Sequence, residues 1–153
     1  MAAKGDMIYA WTTDSGLAKK AECGGAVTAL LKYALENKLV DVVVAVKKGF
    51  DLYDAVPVAI TDPKDLDQTA GSLHCGTLLM STFIQKYLDG AKKTKVGVVV
   101  KGCDLMGLIE LGKRNEVNMD NVLTIGVNCG GSVNPIQGRK MIAEKFGIDP
   151  DKV

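Results

Sequence analysis

Two cysteines stand where a thiol could do chemistry. In "VGVVVKGCDLMG", Val96 to Gly107, an apolar run leads into Lys101, Gly102, Cys103 and Asp104, and then into a helical pattern. In "LTIGVNCGGSVNP" a second apolar run leads into Cys129 and a pair of glycines. A thiol at such a turn meets free backbone N–H groups, which favour the thiolate that ligates metal or attacks an electrophile. Ligands of open parallel sheets bind at the carboxyl ends of the strands. Cys103 and Cys129 therefore read as metal ligands converging on one rim. The competing reading is a pair of small buried residues, since free cysteine is often buried. Two thiols cannot hold an iron–sulfur cluster, which takes four. Further ligands would be Cys23 and Cys75 or lie outside this sequence. Lys101 beside Cys103 is placed to neutralise an anionic reduced cofactor, or is a solvated turn residue.

The glycine turns are a second candidate. "AECGGAVTALL" and "VNCGGSVNP" each set a flexible turn ahead of a helix, where backbone N–H groups can meet phosphate oxygens. Neither is G-x-G-x-x-G or a Walker sequence, so neither names a nucleotide. Gly24, Gly25 and Gly102 are candidate cofactor contacts, and Thr28 could add a hydroxyl or simply sit in its helix. His74, the one histidine, lies in "GSLHCG" and reads as a helix-capping loop residue. No residue pattern marks an acid–base catalyst.

These residues need a scaffold, and the chain spells one out. The apolar spacing of Val27, Leu30, Leu31, Ala34 and Leu35 predicts a helix. The run Val40 to Val46 is too continuously β-branched for a half-exposed hairpin and reads as a buried strand. Ala55 to Ile60 reads as a second strand, with Pro57 marking an edge or a bulge. Asp62 and Pro63 open a helical segment. Cys75 to Leu88 reads as an amphipathic helix. Val96–Val100 reads as a strand, Asp104 to about Lys113 as a helix, Val122 to Val127 as a strand, and a final helix follows. Strands alternating with helices predict an α/β fold of βαβ units, a mostly parallel sheet flanked by helices. "FGIDPDKV" has Pro150 opening another element, so residues 1–153 read as an N-terminal α/β domain of a longer polypeptide.

Composition narrows the function classes. The 153 residues are 47% hydrophobic and 24% charged, with a formal net charge of +1. That balance gives no reason to expect nucleic acid or an acidic membrane surface as a partner. No run approaches the roughly 18 apolar residues that cross a bilayer, and the first residues lack a secretory pattern, so a cytoplasmic protein is expected. Four scattered cysteines in a chain with a good core suit a reducing compartment.

"CGGAVTALLKYALENKLVDVVVAV", "VGVVVKGCDLMGLIEL" and "IGVNCGGSVNP" together resemble the three ordered motifs of the coenzyme F420 hydrogenase/dehydrogenase beta-subunit family. The resemblance runs from about residue 14 to the end. It implies FAD, a [4Fe–4S] cluster and hydride exchange with coenzyme F420, which needs no acid–base catalyst. The electrons would come from a catalytic partner subunit, the alpha subunit of a formate dehydrogenase or hydrogenase, and a larger heterodisulfide-reductase-type complex is compatible. By resemblance, Cys103 and Cys129 are cluster ligands, with the remaining ligands in a C-terminal Cys-x-x-Cys region absent here. Gly24, Gly25 and Thr28 match the flavin-side motif, where the helix start would hold the FAD pyrophosphate. Ser72 falls in the family's Ser-x-Tyr segment, with His74 in place of the tyrosine. Asp104 replaces the family's usual Gln, and Gly130–Gly131 replaces His-Gly. Lys101 and the backbone at Gly102 would face negative charge on reduced flavin. Lys19, Lys20, Lys92, Lys93 and Lys95 could form a basic approach for F420, or an ordinary solvated surface. Two readings outside the family remain open: a flavin-free thiol enzyme, and a non-catalytic nucleotide-binding or assembly module.

Overall fold

The β-branched runs make the sheet. A computed structural model describes residues 3–50, 54–73, 75, 78–149 and 152. Its strands are β1 (Val42–Lys48), β2 (Ala55–Ile60), β3 (Val96–Val100) and β4 (Val122–Gly126), in the order β2-β1-β3-β4. β1 runs parallel to β3, with Val44 opposite Val98, and β3 runs parallel to β4, with Val100 opposite Gly126. The sheet is thus mostly parallel, as expected, with one exception. β1 and β2 pair antiparallel, Ala45 opposite Val58. β1 is buried all the same, because β3 covers its other edge and helices cover both faces. Pro57 sits on β2, which is an edge strand, where a missing N–H costs least.

Alternation along the strands divides the interior into two cores. Val42, Val44, Val96, Val98 and Val100 face one side, packed with Met80, Ile84 and Leu108. Those last three come from α3 (Met80–Tyr87) and α4 (Gly102–Lys113). Val43, Ala45 and Ile60 face the other side, packed with Leu31, Ala34 and Leu35 of α2 (Ala26–Glu36) and with Leu66. Leu66 belongs to a 3-10 turn, Pro63–Thr69, capped by Asp62, so the helical segment expected here is the tighter form. A short α1 (Ser15–Lys20) precedes α2, and α5 (Pro135–Phe146) is capped by Asn134 and ended by Gly147 at φ 63°.

One helix is shorter than its pattern predicts. α3 starts at Met80, not at Cys75. Cys75 instead forms a parallel bridge with Val133, and the Met80 amide donates to the Asp104 carboxylate at 2.9 Å. Tertiary hydrogen bonding overrides the local helical preference.

Candidate functional site

The carboxyl ends of β1 and β3 frame the site. β1 overhangs its neighbour: its register with β3 is recorded as far as Val44 opposite Val98, yet the strand continues to Lys48. Lys47 and Lys48, still paired with Val56 and Ala55 of β2, therefore extend past the end of β3 on the same rim as Lys101, which follows β3. A loop through Gly71, Ser72 and Leu73 and the end of α1 close over this rim. The result is a cavity of about 320 Å³ walled by Lys20, Lys47, Lys48, Lys101, Ser72 and Glu22, among others. That is within the size range of small-molecule sites.

The cations differ in how they are held. Lys47 Nζ donates to Gln68 Oε1 at 3.3 Å. Lys20 Nζ lies 3.9 Å from Asp67 across exposed side chains, a weak pair. Lys48 has no ion-pair partner among the described residues. Lys101 Nζ is 3.2 Å from Asp104 Oδ2, and Asp104 is fully buried. Four lysines against Glu22 favour a ligand carrying several negative charges.

Ser72 and Lys101 are the two expected cofactor residues brought together in this wall. Gly102 lies just beyond it, the first residue of α4, with open space where a side chain would project. Gly24, Gly25 and Thr28 are elsewhere. Gly24 and Gly25 adopt φ 67° and 69°, and the chain itself covers them. A Cβ on Gly24 would lie 2.9 Å from Trp11 Cβ, and one on Gly25 would lie 3.0 Å from Thr12 Cγ2. The tight turn is thus explained by close packing, although α2 begins without a side-chain cap. Thr28 is buried inside α2. His74 falls outside the described residues. Of the basic-approach lysines, Lys20 lines the cavity, whereas Lys92, Lys93 and Lys95 precede β3 and so lie at the amino edge, the opposite end of a parallel sheet. Lys19 sits at the end of α1 outside the wall.

The thiols follow the register. Cys103 and Cys129 each lie three residues beyond the paired Val100 and Gly126, so they stand on one rim, Cys103 in the first turn of α4 and Cys129 in the loop after β4. Val127 N donates to Val100 O at 2.9 Å, which carries the pairing one step toward Cys129. Both thiols are exposed, and Cys129 Sγ lies 3.7 Å from Gly131 O. Cys75 is buried where its strand bridge meets the Cys129 loop, and Cys23 is exposed beside Gly24. Among the described residues no three His, Cys, Asp or Glu side chains are grouped to hold a metal ion. The chain's thiols fit part of a cluster's donor set and do not complete one.

Sequence reasoning missed Lys47, Lys48 and the structural role of Asp104. The lysines carried a signal, a charged pair closing an apolar strand. For Asp104 only the local half was legible, an acidic residue three positions after Lys101 at a helix start, while its bond to the Met80 amide spans 24 residues.

Comparisons with known proteins agree with this architecture. A family model described as coenzyme F420 hydrogenase/dehydrogenase, beta subunit N-term, matches residues 7–85, and a second model, for the C terminus of the same beta-subunit family, matches residues 93–153. The β1–β3 pairing joins the two stretches in one sheet. Subunit beta of F420-dependent formate dehydrogenase 1 from Methanococcus maripaludis is 47% identical over 97% of this chain and 38% of its own length. The F420-dependent formate dehydrogenase subunit beta of Methanocaldococcus jannaschii is 51% identical over 90% of this chain and 36% of its own length. This chain thus spans little more than a third of these relatives. A chain of the F420-reducing [NiFe] hydrogenase complex from Methanosarcina barkeri shares the fold, with a TM-score of 0.73 at 22% identity over 92% of this chain and 50% of that one. No helix among the described residues is long and apolar enough to cross a membrane.

Proposed function

Because the chain belongs to the coenzyme F420 hydrogenase/dehydrogenase beta-subunit family, we propose that it is part of an F420-linked electron-transfer subunit whose cavity at the ends of β1 and β3 takes a phosphate-bearing cofactor. FAD is the cofactor of this reading and F420 the substrate. The electrons come from formate oxidation in a catalytic partner subunit, as the names of the two formate dehydrogenase relatives suggest. The cytoplasm is the compartment, a setting in which four unpaired cysteines are stable.

The observation that carries the reading is the lysine-lined cavity with Ser72 and Lys101 in its wall. FAD fits the chemistry of that wall. Lys20, Lys47 and Lys48 would meet phosphate oxygens, Ser72 would donate a hydroxyl, and Lys101 would stabilise negative charge on the reduced ring. When bound, a flavin supplies the conversion between single electrons and a hydride. The work of this chain's residues is to bind, orient and balance charge. The Gly102 amide, open to solvent near Lys101, offers a further contact for an extended dinucleotide, whereas Gly24 and Gly25 are covered by Trp11 and Thr12 and Thr28 is buried, so the start of α2 is left out of this reading.

Cys103 and Cys129 are proposed as two ligands of a [4Fe–4S] cluster. The other ligands must come from elsewhere, because among the described residues no further ligating side chains are grouped with these thiols.

The test is direct. FAD is titrated into the chain and flavin fluorescence followed, then F420 reduction by the assembled complex is compared with and without Cys103→Ala. Saturable quenching that weakens in Lys48→Met is the expected result. Absence of flavin binding by the chain would remove FAD from the reading.

A further inference from the structure

We infer that Asp104 is a positioning residue for this cavity: its buried carboxylate holds Lys101 in the wall and sets how strongly the cavity draws polyanions. This rests on the reading of the cavity as the place of a phosphate-bearing ligand. A carboxylate with no exposure must be paired or hydrogen-bonded. Asp104 has three partners. Its Oδ1 accepts from the Met80 amide at 2.9 Å, and its Oδ2 accepts from the Lys101 amide at 3.2 Å and pairs with Lys101 Nζ at 3.2 Å. The same Nζ lies 3.5 Å from the Leu78 carbonyl.

Leu78 and Lys101 both face the cavity, while Asp104 stands behind the wall and does not line it. One carboxylate therefore fixes two neighbouring parts of the wall, the approach to α3 and the start of α4. Cys103 is the residue immediately before it, so the same anchor holds the backbone of the thiol rim. Among the described residues, Lys101 is the only one of the four wall lysines tied to a buried carboxylate. Its charge is already partly answered, whereas Lys48 has no such anchor among them. Wall lysines are thus unequal: Lys48 attracts, and Lys101 is held in place with its pull moderated.

This assignment differs from a purely structural role in the sign of its effect. Asp104→Asn keeps a carbonyl oxygen for the Met80 amide and removes the negative charge. A structural role predicts a looser wall and weaker binding. The positioning role predicts lower stability and tighter polyanion binding together, because Lys101 is released to the ligand.

The experiment titrates the full chain with inorganic pyrophosphate and with FAD, at several salt concentrations, in wild type, D104N, K48M and K101M. D104N should melt lower yet bind pyrophosphate about threefold tighter, with a steeper salt dependence. K101M should lose less affinity than K48M. If D104N does not fold, the ranking of K48M against K101M decides. Weaker or unchanged binding in D104N, or a K101M loss as large as that of K48M, would overturn the inference while leaving the cavity assignment standing. A wild-type chain that binds neither probe would overturn the cavity assignment and the inference with it.

Discussion

Asp14 shows how much one side chain can fix at the edge of this site. Its Oδ1 accepts from the Gly16 amide at 2.8 Å and the Leu17 amide at 3.1 Å, capping α1, whose end carries Lys20 into the cavity wall. Those two amides, Leu17 first and Gly16 next, hold the carboxyl below the ordinary aspartate value of 3.8. The sign follows from linkage. A carboxyl depressed in the folded state contributes stability above its unfolded value, and that contribution is lost as pH falls through the folded value. An NMR titration should place Asp14 below the ordinary value, and Asp14→Ser should keep an uncharged cap while removing this part of the acid sensitivity. Titration at the ordinary value would show the cap to be absent in solution. The candidate residues were legible at this scale to differing degrees. Lys101 was singled out as a turn residue just beyond a strand and Ser72 only through the family resemblance, and both line the cavity. Lys47 and Lys48 were not singled out, because their position depends on β1 running longer than β3, which only the register reveals.

At the scale of elements, the approach of α3 to α4 decides where Cys103 and Lys101 stand. Gly107 allows it: a Cβ there would lie 2.6 Å from Ser81 Oγ and 3.1 Å from Ser81 Cβ. Gly107→Val should push the helices apart at a cost of about 2 kcal/mol, read from urea unfolding, since overpacking a close contact typically costs this much. Ser81→Ala in the same chain should recover part of the loss. If it recovers none, the contact is not where the strain arises. The sequence specified β3 to the residue, because a β-branched run bounded by Lys95 and Lys101 leaves little choice. It misjudged the start of α3. Cys75 to Leu79 have helical spacing, yet the Cys75 backbone pairs with Val133 and the Met80 amide is taken by Asp104. Both partners are distant in sequence, so no local pattern could report them.

At the scale of the whole molecule, the sheet separates two cores that share β1 and β3 but not their side chains. Alternation sends Val42 and Val44 to one face and Val43 and Ala45 to the other. The cavity lies where both layers end, with Val46 and Leu78 from the first side and Gln68 and Thr69 from the second. The cores should therefore act as independent contributions within one cooperative unit. Ile84 is fully buried on α3, and Ile60 is buried on β2, across the sheet from it. Ile84→Val and Ile60→Val should each cost about 1 kcal/mol, the usual effect of deleting one buried methylene. Their sum should match the double variant to within about 0.5 kcal/mol, because residues without shared partners add. Urea unfolding followed by circular dichroism measures all four chains. An interaction energy well beyond that margin would mean that β1 transmits strain from one core to the other. A substitution behind either face would then reach the lysines on the rim.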